Sequence, residues 1–335
     1  MRKILLISTG GTIASVQTKD GLVPNIDGEK LLEFVPQLKD MCNIEVRSLF
    51  NIDSTNVYYK HWLEIAKTIK EEYENYDGFV VCHGTDTMSY TASALSYLIQ
   101  NSKKPIVLTG AQRPINLEIS DAKTNILDSF TYACEPTSRG VVLIFNGNVI
   151  LGTRARKIRT KSFDAFKSID YPRVAIVKDG IVIPYITNLS HDTKFYDSLD
   201  HNVGLLKLIP GTNHEVLEFM LNTYDALVIE SFGVGGLPTY EDKSFNDIIE
   251  KYTKLGKIIV MTTQVPNEGS DIAIYKVGHY LKKNPNILEA YDMTTEAVVT
   301  KLMWVLANSK EIDEIKALFY QTISNDILFK RDFRN

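Results

Sequence analysis

The chain has 335 residues, 44% of them hydrophobic and 23% charged, which is long for one core and suits two compact soluble domains. These proportions exclude a disordered chain, a collagen and a small disulfide scaffold. With 37 Lys and Arg against 41 Asp and Glu, the net charge of −4 gives no general electrostatic reason to expect nucleic acid or an anionic membrane as partner.

The N-terminus, MRKILLISTGG, starts like a signal peptide, but its apolar stretch Ile4–Ile7 is too short for an h-region and reads as a buried strand. No run approaches the ~20 apolar residues of a membrane span. Further short apolar runs follow at Phe79–Cys82, Ile106–Thr109, Val141–Phe145, Val174–Val177, Ala226–Glu230 and Ile258–Met261. Each is rich in β-branched or aromatic residues, as strands covered on both faces should be. Helical periods lie between several of them: Trp62, Ile65, Ala66, Ile69, Tyr73 and Tyr76; Met88, Ala92, Leu95 and Ile99; Ala122, Ile126, Phe130 and Cys134. A last helical period runs from Thr294 to Leu306.

Strands alternating with helices imply parallel pairing through crossovers. The expected architecture is α/β with two domains: a larger N-terminal one over 1–180, with a mainly parallel sheet and helices on both faces, and a smaller α/β one over 208–335. The mixed, period-free stretch 181–207 reads as the connection between them. Cys42, Cys82 and Cys134 are odd in number and widely spaced, which makes neither a disulfide framework nor a zinc motif. A cytoplasmic protein with reduced thiols is expected.

In open parallel sheets ligands bind beyond the carboxyl ends of the strands. Three of the expected strands end in polar, glycine-containing turns: Ser8-Thr9-Gly10-Gly11-Thr12, His83-Gly84-Thr85-Asp86-Thr87 and Thr109-Gly110-Ala111-Gln112-Arg113. Singly, each is explained by a tight turn or a helix N-cap, and Asp86-Thr87 ahead of the Met88 helix is a good cap by itself. Together they exceed what capping requires and could line one crevice. Neither STGGTIA nor Gly233-Val234-Gly235-Gly236-Leu237-Pro238 completes a dinucleotide fingerprint or a P-loop. The basic run Thr153–Lys161 holds five positive charges in nine residues. It reads as a solvated loop, an RNA patch without aromatics, or a segment that turns one lysine inward as a base. His83 reads as a core histidine, because no nucleophile elbow accompanies it. The other histidines form no i, i+4 pair, so metal ligation is not expected.

STGGTIA at 8–14 and HGTDTMSYTA at 83–92 resemble the two signature motifs of the bacterial-type L-asparaginase family. The resemblance covers most of the chain, through NIDSTN at 51–56, PIVLTGAQRP at 105–114, GTRARK at 152–157, SFDAF at 162–166 and EAYDMTTEAVVTKLMWVL near the end. It is greatest to the cytoplasmic type I members. The resemblance implies hydrolysis of L-asparagine to L-aspartate and ammonia, without metal or organic cofactor. It implies Thr12 as nucleophile and a triad of Thr85, Lys157 and Asp86, which selects one lysine from the basic run. It further implies Ser54, Thr55, Asp86 and Gly11 as substrate contacts, and Gln264 as a contact given by a neighbouring subunit in a homodimer or homotetramer.

These roles make chemical sense. A threonine hydroxyl is a weak nucleophile that needs an adjacent base. A lysine serves as base only when uncharged, and a carboxylate beside it favours the charged form, so the triad must balance the two. Backbone N–H groups of the Gly10-Gly11-Thr12 turn suit an oxyanion. Asp86 on the substrate ammonium would select a free amino acid. Leu22 stands where many relatives carry a tyrosine near the nucleophile, and Thr55 and Asn56-Val57 also depart from common family residues, which bears on asparagine against glutamine. Two competing readings are an amidotransferase subunit, whose extra N-terminal domain would need room before residue 8, and a silent amino-acid sensor, which would need lesions in Thr12, Thr85, Asp86 or Lys157.

Overall fold

The structure is a computed structural model that describes residues 1–18, 21–24, 28–186, 192–239, 245–274 and 281–328. The chain separates into two compact units, Met1–Asp197 and Ser198–Asn335.

The first unit is built on an eight-stranded sheet. From one edge to the other its strands are Ile181–Pro184, Ala175–Lys178, Asn148–Leu151, Gly140–Phe145, Pro105–Thr109, Gly78–Cys82, Lys3–Gly10 and Asn43–Ile52. The five from Gly140–Phe145 to Asn43–Ile52 run parallel, and the remaining three are antiparallel to their neighbours. Alternate residues of a strand point to opposite faces. On one face Ile4, Leu6, Val80, Val107 and Val142 pack with Leu31, Leu38, Ile126 and Phe130, which come from helices Gly28–Glu33, Leu38–Met41 and Ala122–Cys134. Helices Tyr59–Glu71 and Met88–Leu98 pack on each other, and the second also packs on the strands. The mainly parallel, doubly covered sheet is therefore present as expected.

Strand Asn43–Ile52 is not among the expected strands. It lies at the sheet edge, where its residues are half-buried or exposed. Its polar positions are matched from the side, with Glu45 2.7 Å from Lys3 Nζ and Arg47 2.5 Å from Glu72. An apolar-run criterion overlooks a strand covered on so little of its surface. The stretch 181–207 is likewise not uniform. Ile181–Pro184 is the outer strand of the larger sheet, and Val203–Lys207 is the first strand of the smaller one.

The second unit has a wholly parallel four-stranded sheet in the order Val203–Lys207, Ala226–Ser231, Ile258–Thr263, Ile287–Glu289. Leu217 and Leu221 of helix His214–Thr223, with Ile248, Ile249 and Tyr252 of helix Phe245–Lys254, pack on Leu227, Ile229, Ile259 and Met261. Helix Thr295–Asn308 is buried along most of its length. Inside it Lys301 is fully buried, with Nζ 2.6 Å from the fully buried Asp326 and 2.7 Å from the Gln321 carbonyl. This pair ties the chain after helix Ile312–Tyr320 back to the unit.

Candidate active site

Strand register brings the polar turns together. Ser8 pairs with Cys82 and Cys82 with Thr109, so two strands end level with Ser8 while Lys3–Gly10 runs on beside them into its own turn. The fourth, Asn43–Ile52, ends beside Gly10. The turns then touch directly. Gly10 and Gly11 have φ of +99° and +81°, a region costly for any residue with a Cβ. A Cβ on Gly11 would run into the backbone of Gly84, and one on Gly84 would meet Ser54 Oγ at 2.6 Å. Glycine at 11 and 84 is thus what lets the turn holding Thr12, the turn holding Thr85 and the buried Ser54 approach.

Beside this contact Lys157 Nζ donates to Thr85 Oγ1 at 2.7 Å and to Asp86 Oδ1 at 2.6 Å. Thr85 is buried, the Lys157 side chain is 15% exposed and that of Asp86 59%. The lysine is therefore presented from below while its carboxylate partner faces solvent. Lys157 reaches the site because Ala155–Lys157 forms an antiparallel pair with Phe166–Ser168, placing it opposite Phe166. The basic run divides accordingly. Arg154 is fully buried, with its guanidinium 5.7 Å from the Tyr171 ring, and Arg159 pairs with Asp164 at 2.6 Å. It is not a uniformly solvated loop.

The capping explanation of Asp86-Thr87 is not realised. Thr87 occupies the N-cap position of helix Met88–Leu98 without a side-chain cap bond, and its hydroxyl donates instead to the Ser54 carbonyl at 2.7 Å. That bond fastens the turn holding Ser54 to the turn holding Thr85 and Asp86. Asp53 does act as a cap, accepting from Thr55 N at 2.8 Å and Thr55 Oγ1 at 2.7 Å. The exposed Thr55 hydroxyl is thus engaged locally. Thr12 opens a 3-10 turn and is half-buried. The Gly11 N–H donates to the Ile52 carbonyl at 3.0 Å, so this one of the turn's N–H groups is committed to a neighbouring strand rather than to an oxyanion.

His83 is fully buried directly beneath the site. Its Nδ1 lies 2.7 Å from the Gly84 carbonyl, which can only accept, so Nδ1 carries the proton. Nε2 then accepts from the Thr91 hydroxyl at 3.0 Å, and Thr91 in turn accepts from Trp62 Nε1 at 3.0 Å. Burial holds the imidazole down to about 4, well below its ordinary range. It stays neutral and supports the Gly84 backbone. Gln264 lies in the second unit, where its Nε2 donates to the carbonyls of Leu208 at 2.6 Å and Glu230 at 3.0 Å. The Leu22 side chain falls outside the described residues.

Sequence reasoning passes over Gln112. It sits in the turn after Pro105–Thr109 and accepts from the Thr85 hydroxyl at 3.2 Å. An amide side chain in a turn already picked out as polar is the available signal. Asp121 also goes unnoticed; it accepts from the backbone of Gln112 and Arg113 and from Asn125, and burial raises its carboxyl above the ordinary range. Among the described residues no cluster of three or more His, Cys, Asp or Glu could hold a metal, and no helix is long and apolar enough to cross a membrane.

Fold and site define a two-unit α/β enzyme whose centre couples a threonine hydroxyl to a lysine and a carboxylate. Residues 3–189 match the family described as Asparaginase, N-terminal, and residues 202–319 match the Glutaminase/Asparaginase C-terminal domain. The chain belongs to the asparaginase family and is an amide hydrolase. It is 36% identical over 328 residues to an L-asparaginase of Thermococcus kodakarensis, covering 97% of this chain and 99% of that one. The solved structure of the thermostable L-asparaginase from that organism superposes with a TM-score of 0.92 at 35% identity, over 98% of this chain and 100% of the other. A probable cytoplasmic L-asparaginase from Campylobacter jejuni gives 0.82 at 27% identity, over 95% and 99%. A glutamyl-tRNA(Gln) amidotransferase subunit of Methanococcus maripaludis is 34% identical over 346 residues, 98% of this chain and 81% of that protein.

Proposed function

We propose that the chain hydrolyses the side-chain amide of free L-asparagine to L-aspartate and ammonia, with Thr12 as nucleophile and Thr85, Lys157 and Asp86 handling the proton. The observation that carries this reading is Lys157 bound at once to Thr85 and Asp86 beside the Gly11–Gly84–Ser54 contact. Thr12 Oγ1 attacks the amide carbon, the C–N bond breaks, and the nitrogen takes a proton and leaves as ammonia. Water then releases aspartate and restores Thr12. Ser54 holds the substrate carboxylate and Asp86 its ammonium, with Thr55 at the rim. The solvent-facing side of Asp86 suits it to meet a free α-ammonium, which an asparagine within a peptide lacks.

Ammonia release from L-asparagine and L-glutamine tests this directly. Turnover of asparagine abolished in Thr12→Val and in Thr85→Val, and partly kept in Thr12→Ser, is expected. Undiminished turnover in Thr12→Val would end the nucleophile assignment. Weaker glutamine hydrolysis is expected alongside. The likeness to an amidotransferase component favours a second reading, in which glutamine is the preferred donor; glutamine turnover exceeding asparagine turnover would support it.

We further propose a cytoplasmic enzyme that works without metal or organic cofactor and assembles as a homodimer or homotetramer, with Gln264 contributed to a neighbour's site. Ile181, Ile183 and Tyr185 are exposed alternate residues along the outer edge of the larger sheet, an apolar stripe suited to self-association. Sedimentation velocity reads the assembly, and a monomer at assay concentration would refute it.

A further inference from the structure

We propose that Gln112 is a positioning residue that fixes the rotation of the Thr85 hydroxyl and so the direction of the Lys157–Thr85 hydrogen bond. The inference rests on the hydrolase reading above, in which that bond carries the proton. A lysine ammonium has three donors and no acceptor. When it donates to Thr85 Oγ1, the threonine's own proton must be placed on another atom. Gln112 Oε1, 3.2 Å away, receives it.

The amide cannot serve in the opposite orientation. Its Nε2 lies 3.3 Å from the Arg159 carbonyl and 3.2 Å from the Ser162 carbonyl. Turning the group over would aim its oxygen at two oxygens that can only accept, and its NH2 at Thr85. Two backbone carbonyls therefore choose which end of the amide the threonine meets. The backbone beneath is held as well. Gln112 N donates to both carboxylate oxygens of Asp121, at 3.1 and 3.0 Å, and Asp121 also accepts from Arg113 N at 3.1 Å.

The consequence is a hydroxyl whose proton points to Gln112 and whose lone pairs face Lys157. The Thr85 methyl group acts on a different torsion: a β-branched side chain is stiff about χ1, which holds Oγ1 itself within reach of Lys157 and Gln112. The hydrogen bond to Gln112 favours the same χ1 well, so Gln112 and that methyl group are two restraints on the position of Oγ1, and Gln112 alone sets the direction of its proton. Each alone keeps the oxygen largely in place, and Oγ1 leaves Lys157 only when both are gone.

The test measures kcat and KM for L-asparagine in Gln112→Met, Thr85→Ser and the double variant, with Thr85→Val as reference. Gln112→Met is expected to lower kcat about 3- to 10-fold, the scale of one neutral hydrogen bond, with KM within about two-fold because Gln112 acts through Thr85. The double variant is expected to lose more than the product of the two single losses, since neighbours that share one function are not additive. A merely structural role would instead lower the thermal midpoint and leave the two losses multiplicative. A multiplicative result, an unchanged kcat, or a loss carried by KM overturns the inference. Should Gln112→Met not fold, Gln112→Leu removes the same acceptor oxygen with a shorter apolar side chain, and the same outcomes apply. If Thr85→Val retains wild-type turnover, the hydrolase reading of Thr85 fails rather than the role of Gln112.

Discussion

Replacing Lys157 by methionine separates the chemistry of the site from its contribution to the fold. Methionine keeps most of the side-chain stem and removes the ammonium, so the two bonds of 2.7 and 2.6 Å to Thr85 and Asp86 are lost. The groups left behind are not stranded. The Asp86 side chain is 59% exposed and is hydrated in place, while the Thr85 hydroxyl keeps Gln112 as its acceptor. An ion pair whose carboxylate end is open to solvent contributes about 0–1 kcal/mol, which corresponds to a thermal midpoint shift of no more than about 4 °C in a domain of this size. The catalytic loss is of another order. A positioned acid or base contributes about 10²- to 10⁴-fold, roughly 3–5 kcal/mol of barrier. Steady-state ammonia release from L-asparagine, run beside a thermal melt, reads both quantities. A midpoint that falls by more than about 8 °C would make Lys157 a structural residue and refute the reasoning. So would a kcat within tenfold of wild type.

Gly84→Ala forces a Cβ to within 2.6 Å of Ser54 Oγ; the expected result is a rise in KM for asparagine of at least about fivefold, overpacking costing about 1–3 kcal/mol, and an unchanged KM would remove Ser54 from substrate binding. Lys301→Met leaves the buried Asp326 without its cation and is expected to cost about 3–5 kcal/mol in urea unfolding, most of it recovered in Lys301→Met/Asp326→Leu; a double variant no more stable than the single one would contradict this. His83 is held down to about 4 by burial, whereas an unfolded histidine titrates near 6.5. Its contribution is complete above about pH 6.5 and drains away as the pH falls toward 4, because the unfolded chain takes up the proton first, amounting to about 3 kcal/mol. His83→Gln should flatten that part of the stability curve, and equal slopes in the two proteins would rule the explanation out.

How much of this can be read from the chain alone depends on how each element is covered. Gly78–Cys82 and Pro105–Thr109 are buried on both faces, so their apolar runs announce them. Asn43–Ile52 is an edge strand whose charges are matched by Lys3 and Glu72, and nothing in NIEVRSLFNI separates it from a polar loop by run length. The site shows the same division. Glycines at 10, 11 and 84 mark a close approach of backbones, yet only the strand register reveals that the three turns meet. Lys157 is one of several positive charges, singled out by resemblance and not by its spacing. What distinguishes it physically is a two-strand pairing that cannot be inferred from five basic residues in a row.

The same contrast explains why a catalytically silent sensor is the weaker account of this chain. Binding an amino acid requires groups for its carboxylate and ammonium, which Ser54 and Asp86 could supply alone. It does not require a lysine drawn in to 15% exposure and shared between a buried hydroxyl and a carboxylate. Nor does it require an amide fixed by two carbonyls to orient that hydroxyl. Directional control of one proton gives a binding protein nothing. It gives a hydrolase a defined path for the proton that its nucleophile must lose and its leaving group must gain.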